Sequence, residues 1–302
     1  MATVTELNER FGLNGQVTFS EGQGGLIHAQ IAGAAATAEI YLQGAHVTAW
    51  QPRSAAHPVI YLSPRSQYVP GKAIRGGVPI IFPWFADRGN GLPGGMHGFA
   101  RNLEWEVIAA EERPEGIALS LRLLPNQTTR DLGYDHFVLV YEIVAGEELA
   151  LMLDVENLSD DPLIYADALH SYFSVSDIRQ VEVSGLAGTN YLDRAHAGER
   201  RRTGDAPIRF DGETDQLHVN TEAAVTIADP GWNRRIVIEK HGSRSTVVWN
   251  PAEKKAASLA DLGAEAWPHM ICVEPANAAE DAITLQPGGL RRMGFVAHVE
   301  SL

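Results

Sequence analysis

Two arginines bracket a histidine in the run RGGVPIIFPWFADRGNGLPGGMHGFAR, which extends from Arg75 to Arg101. Arginine is the side chain best suited to hold a carboxylate or phosphate, because its planar fork offers two parallel N–H donors. Between the arginines, the apolar stretch Val78 to Phe85 leads into a Gly-rich loop with Asn90, Gly91, Gly94 and Gly95, which sets down Met96 and His97. Glycines let backbone approach a ligand closely. Arg75, His97 and Arg101 therefore mark a candidate pocket for an anion, although the same residue types also serve as solvated surface charge and as a turn histidine. Three other places carry groups that move protons: His170 in ALHSYFSV (168–175), Glu274 in MICVEPAN (270–277), and Asp211, Glu213 and Asp215 in FDGETDQLHVN (210–220), read as a polar loop. A histidine in an apolar, aromatic run is either a hydrogen-bonded core residue or a catalyst. A carboxylate that a strand carries into half-buried surroundings is either paired or functional.

The elements that must position these groups are strands. Period-two alternation broken by Gly, Asn, Asp and Pro recurs in LIHAQIAG (26–33), TAEIYLQG (37–44), HVTAWQP (46–52), HPVIYLS (57–63), LEWEVIAAE (103–111) and IALSLRLLP (117–125). It continues in FVLVYEIVAG (137–146), LALMLDVENLS (149–159), VEVSGLAG (181–188), AAVTIADP (223–230), RIVIEKHG (235–242) and TVVWNP (246–251). Many short strands at regular spacing predict an all-β, large antiparallel sandwich. Gly146-Glu147-Glu148 reads as a hairpin turn. Helices are expected over 5–13 and in AEKKAASLADLG (252–263), which ends on a Gly stop. No repeat, low-complexity tract or linker divides the sequence, so one domain over 1–302 is expected.

The balance of 24 Lys and Arg against 38 Asp and Glu gives a net charge of −14, which argues against nucleic acid or an anionic membrane as partner. An anionic ligand must then be caught by local positive charge. The single cysteine, Cys272, excludes an intrachain disulfide and fits a reducing compartment. No secretory signal or membrane-length apolar run is present, so a cytoplasmic protein is expected. The eleven histidines are scattered, without HExxH, Cys pairs or a calcium loop, and no P-loop, GxGxxG or GxSxG occurs. No metal and no cofactor is expected.

Taken together and in order, RGGVP…FPWF…MHGFAR, ALHSYFSVSDI with VSGLAGTNYLDR, ETDQLH, VVWNP and CVEPAN resemble the hexose-6-phosphate mutarotases, a branch of the aldose 1-epimerase family. The resemblance runs from about residue 40 to the C-terminus. It implies a galactose-mutarotase-like supersandwich and an isomerase that interconverts the α and β anomers of a hexose 6-phosphate without a cofactor. Carried over position by position, it implies catalytic roles for His170 and Glu274 and substrate binding by Arg75, Arg101 and Asp215. His97 matches a histidine that lies in the pocket of related aldose epimerases. Two departures concern the sugar contacts: Met96 stands where some relatives have a polar residue, and FPWFADRGN differs from the FPxFG run. The expected partner is a small phosphorylated sugar, and the expected state a monomer. Glu274 as carboxylate would take the proton of the C1 hydroxyl while His170 as imidazolium protonates the ring oxygen. An epimerase for free aldoses, or a sugar-binding sandwich without catalysis, are the alternatives.

Overall fold

A computed structural model describes residues 2–89 and 91–302; Asn90, placed by the sequence in the Gly-rich loop, lies outside the described residues. The alternating sequences fold into antiparallel sheets of eight, eight, four and two strands. One eight-stranded sheet runs Glu182–Ser184, Val225–Asp229, Arg234–His241, Leu290–Ser301, Leu149–Asn157, Phe137–Ala145, Gly116–Leu123 and Glu106–Arg113. Its meander is closed where expected: Ala145 pairs with Leu149, and the Gly146 N–H donates to the Glu148 carbonyl at 3.0 Å. The other eight-stranded sheet holds the candidate residues. Its order is Glu199–Arg202, Asn190–Asp193, Thr214–Val219, Ser245–Asn250, Met270–Asn277, Asp167–Leu169 and Ile80–Ile81, with Tyr172–Ser174 also paired to Met270–Asn277.

Alternation works here as it must in a sandwich, sending every second side chain inward. Leu119, Leu121, Leu139, Leu151 and Leu153 of the first sheet share one buried core with Phe173, Val248, Ile271 and Val273 of the second. Trp50 of the four-stranded sheet closes one end, its indole N–H donating to the Gly146 carbonyl at 3.0 Å. No helix of the described residues is long and apolar enough to cross a membrane.

Several expectations are redrawn. HPVIYLS makes only isolated bridges, Ile60 with Phe173 and Leu62 with Gly76. VPIIFPWF gives only the two-residue strand Ile80–Ile81, because the ladder ends before Pro83, which has no N–H to offer. The polar run 210–220 is not a loop throughout: Thr214–Val219 is a central strand, so Asp215 sits on a sheet face. The helix expected over 252–263 is Ala252–Ser258, the third after Val4–Phe11 and Gln127–Asp131; the Ser258 hydroxyl turns back onto the Lys255 carbonyl at 2.7 Å, and Leu259–Gly263 forms turns instead. The N-terminal helix, Val4–Phe11, is fastened by a capping box between Thr3 and Glu6.

Candidate active site

Register explains how the catalytic candidates meet. Along Met270–Asn277, Ile271 and Val273 enter the main core, while Cys272 and Ala276 enter a second buried cluster with Tyr172, Val247 and Trp249 on the opposite face. Glu274 has the parity of the second set, so a period of two aims its carboxylate there. Asp215 pairs with Trp249, and Trp249 with Cys272, which brings Asp215 to the same face. On the other side Ala168 pairs with Ala276 and Tyr172 with Cys272. That register sets His170 directly opposite Glu274. The ladder is interrupted between them: the Ser171 N–H turns back to the Leu169 carbonyl at 2.7 Å, and the His170 N–H donates to the Pro79 carbonyl at 2.9 Å. The apolar run after Arg75 thus fixes the backbone of His170.

His170 Nδ1 and Glu274 Oε1 approach to 3.2 Å, both groups almost fully buried. The contact is close but not aligned as a hydrogen bond, and His170 Nδ1 and Glu274 Oε2 are buried without a partner. Leaving such groups unsatisfied costs about 1–3 kcal/mol each, a cost that persists most readily at functional sites. The His170 ring stacks on Tyr172 (4.8 Å, 6°) and meets His97 (5.7 Å) and Trp249 (6.0 Å) edge-on. The His170, His97 and Trp249 rings wall a cavity of about 280 Å³, also lined by Arg75, Phe85, Met96, Arg101, Arg194, Asp215, Lys255 and Glu274.

Both arginines reach this cavity. Arg75 donates from Nη1 to Tyr172 Oη at 3.1 Å and from Nε to Asp261 Oδ2 at 3.1 Å. The turn after the helix Ala252–Ser258 supplies that aspartate, which Ser63 anchors through the Asp261 carbonyl at 2.7 Å. Arg101 donates from Nη2 to the Met96 carbonyl at 2.8 Å, but its Nε is buried without a partner. The approach to Arg101 depends on Gly98: its φ is +70°, and a Cβ there would lie 1.9 Å from the Phe82 oxygen. Gly77 has the same constraint, a Cβ falling 2.4 Å from His46 Nε2, while that nitrogen donates to the Gly76 carbonyl at 2.8 Å. The glycines of RGGVP and HGFAR are therefore demanded by close backbone approach.

Burial dominates the electrostatics. It holds the His97 pKa down to about 3, helped by Arg101, Arg194 and Arg75, so His97 is neutral. The Ala86 N–H donates to His97 Nδ1 at 3.2 Å, which leaves the proton on Nε2. Arg101 is lowered to about 10 by burial, yet remains charged at neutral pH. Burial pushes Glu274 well up, with Asp215 adding to it, and pushes His170 well down, with His97, Arg101 and Arg75 adding to it. Burial thus disfavours the carboxylate–imidazolium form that the sequence reading assigned to this pair. The reason is that separated charges are costly in a dry site.

All six candidate residues, Arg75, His97, Arg101, His170, Asp215 and Glu274, line one cavity. Asp211 is exposed, and Glu213 is held outside in an ion pair with Lys255 at 2.6 Å. Reading the sequence missed Arg194, Lys255 and Asp261. Arg194 lies over the Phe85 ring at 5.0 Å, its Nε 3.8 Å from Asp215. Its one signal was its place at the end of NYLDR. Cys272 was also passed over: its sulfur lies with atoms of His170 and Glu274 in a group all within 4.8 Å of one another. The donors suit a cation poorly, since burial keeps the thiol protonated and four cationic side chains line the same cavity.

The sequence model of the Aldose 1-epimerase family matches residues 28–295. A candidate glucose-6-phosphate 1-epimerase of Cenchrus ciliaris is 37% identical over 264 residues, 83% of this chain and 78% of the relative. One from Salmonella typhimurium is 34% identical over 263 residues, 86% of this chain and 87% of the relative. Among solved structures, a candidate mutarotase (YeaD) from Salmonella typhimurium superposes with a TM-score of 0.86 at 30% identity, covering 95% of this chain and 94% of that one. A galactose mutarotase related enzyme from Lactobacillus acidophilus shares the fold at 16% identity and a TM-score of 0.73, covering 91% of this chain and 97% of that one. The chain belongs to the aldose 1-epimerase family.

Proposed function

We propose that this protein interconverts the α and β anomers of a hexose 6-phosphate, glucose 6-phosphate being the reference substrate, with His170 and Glu274 as the acid–base pair. The observation that carries the reading is the opposition of His170 and Glu274 at 3.2 Å in a cavity that Arg75 and Arg101 also line. Anomerisation needs a base on the C1 hydroxyl and an acid on the ring oxygen. The C1–O5 bond breaks, the aldehyde turns about C1–C2, and closure on the other face returns both protons. Glu274 takes the first role and His170 the second, and one proton held between them suffices for the cycle. The group that gives up its proton in opening regains it in closing. Only proton transfers are required, so the chemistry calls for no cofactor. Acid–base help of this kind contributes on the order of 10²–10⁴-fold.

Arg75 and Arg101 are assigned to the phosphate, because two guanidiniums at a dry cavity provide charge-assisted bonds that a neutral sugar would not use. Asp215 and the Nε2–H of His97 are assigned to sugar hydroxyls. Met96, 47% exposed at the rim, offers no side-chain polar contact in place of the residue some relatives have there. The site draws on residues from Arg75 to Glu274 of one chain, which supports a single functional unit over 1–302 acting as a monomer. A cytoplasmic setting is supported by the free, buried Cys272. The test is anomer exchange followed by NMR with glucose 6-phosphate and galactose side by side. Faster exchange of the phosphorylated sugar is expected, and equal or reversed preference would overturn the assignment.

A further inference from the structure

The two arginines do not stand apart from the acid–base pair. Arg75 Nη1 bonds to Tyr172 Oη at 3.1 Å, and the Tyr172 ring lies flat against His170 at 4.8 Å. Arg101 holds the Met96 carbonyl at 2.8 Å, next to His97, whose ring meets His170 edge-on at 5.7 Å. Positive charge is therefore packed against His170 through one ring on each side. The Glu274 end differs. Its face carries Asp215 and Arg194, paired at 3.8 Å, and the buried thiol of Cys272. Arg101 acts on both ends, but Arg75 acts on His170 and Arg194 on Glu274. This asymmetry has a chemical consequence. Cations on the His170 side oppose an imidazolium there, and burial favours a proton on the Glu274 carboxyl. An anion that neutralises Arg75 and Arg101 removes that opposition, while Arg194 continues to favour a carboxylate at Glu274.

We propose that an oxyanion seated between Arg75 and Arg101 switches the His170–Glu274 pair into its working form, so that a free dianion accelerates anomerisation of an unphosphorylated hexose in the same cavity. The switch forms no bond other than the O–H and N–H bonds exchanged: the proton leaves Glu274 and is taken up by His170. Arg75 and Arg101 become positioning residues for catalysis as well as anchors for the phosphate. The proposal rests on the phosphate assignment made above, and its test separates the two.

The experiment measures anomer exchange of glucose by NMR with increasing phosphite, and with sulfate as a dianion too weakly basic to catalyse by itself. The enzyme-free rate at each anion concentration is subtracted. A saturable rise in kcat/KM for glucose of about tenfold or more, the rate equivalent of about one pKa unit, is expected. Competition of the same anions against glucose 6-phosphate is measured in parallel. Anions that compete but leave glucose turnover unchanged, or never permit it, overturn the switch and leave the phosphate assignment standing. Anions that neither compete nor activate overturn both. In Arg75→Ala the anion effect should vanish and anion-independent glucose turnover should rise, because deleting the cation lifts the same opposition to an imidazolium at His170 that the anion lifts. A KM effect on glucose 6-phosphate with glucose turnover unchanged would reduce Arg75 to an anchor and contradict the proposal. Arg75→Lys, which keeps the charge, should keep glucose turnover low and retain the anion effect in part, and guards against loss of the Asp261 contact as the cause.

Discussion

Replacement of Arg101 by alanine probes phosphate recognition most sharply. Arg75 already shares its guanidinium with Asp261 and Tyr172, whereas Arg101 spends one nitrogen on the Met96 carbonyl and leaves Nε buried and unpaired. Arg101 therefore has more unmet donor capacity and lies in the drier place. The protein as a whole carries a charge of −14, so long-range attraction cannot substitute for it. Removing one partner of a desolvated charge pair costs about 2–5 kcal/mol, which at about 1.4 kcal/mol per decade is roughly 30- to 4,000-fold in kcat/KM. Arg75→Ala should fall towards the lower end, because Asp261 already partly compensates its charge. The assay is the ratio of kcat/KM for glucose 6-phosphate over glucose in wild type and in each variant, with thermal melts to confirm folding. The ratio should collapse in Arg101→Ala. A ratio constant across all three proteins would mean that the phosphate is bound elsewhere, or not at all.

Other outcomes follow from the same geometry. With the His170 pKa held well down and the Glu274 pKa well up, the interval over which the pair holds one proton is widened. Activity should plateau there, falling in acid as the pair gains a second proton on His170 and in alkali as Glu274 loses its own; a sharp optimum centred on an ordinary histidine pKa would contradict this. Exhaustive chelation should leave anomerisation unchanged, whereas loss restored by a divalent ion would make the group of His170, Cys272 and Glu274 a metal site. Gly98→Ala places a Cβ 1.9 Å from the Phe82 oxygen at a φ of +70°, a left-handed conformation that alone costs about 1–2 kcal/mol. It should lower the melting temperature and, by displacing Arg101, the preference for the phosphorylated sugar; unchanged values of both would refute the role given to that glycine.

Strands with clean alternation, such as Phe137–Ala145 and Leu149–Asn157, were legible because one face meets the core and the other does not. The long strand Leu290–Ser301 was not. It begins on exposed and half-exposed residues and contains Gly294, needed because a Cβ there would lie 2.0 Å from the Leu151 oxygen. Polar edge strands such as Glu199–Arg202, exposed throughout, carry no inward pattern at all. Within the site, Glu274 stood out as a carboxylate inside an apolar strand, and His170 as a base inside an aromatic one. Their mutual opposition is a matter of strand register, fixed by pairings over a hundred residues apart, and no local pattern encodes it. Asp215 was read as a loop acid because its neighbours are polar, yet it belongs to a strand whose partner brings Trp249 beside it. Asp261 and Lys255 come from around a helix that ends early, a boundary set by Ser258 rather than by the Gly stop.

The claim that His170 and Glu274 act as one acid–base pair is tested most directly by magnetisation exchange between the C1 protons of α- and β-glucose 6-phosphate. It is measured for wild type, Glu274→Gln and His170→Asn at neutral pH, each variant first shown to melt cooperatively. The wild type should accelerate exchange far above buffer, and each folded variant should lose most of that acceleration, on the order of 10²–10⁴-fold. Wild-type exchange from either folded variant, or no acceleration by the wild type, would contradict the account.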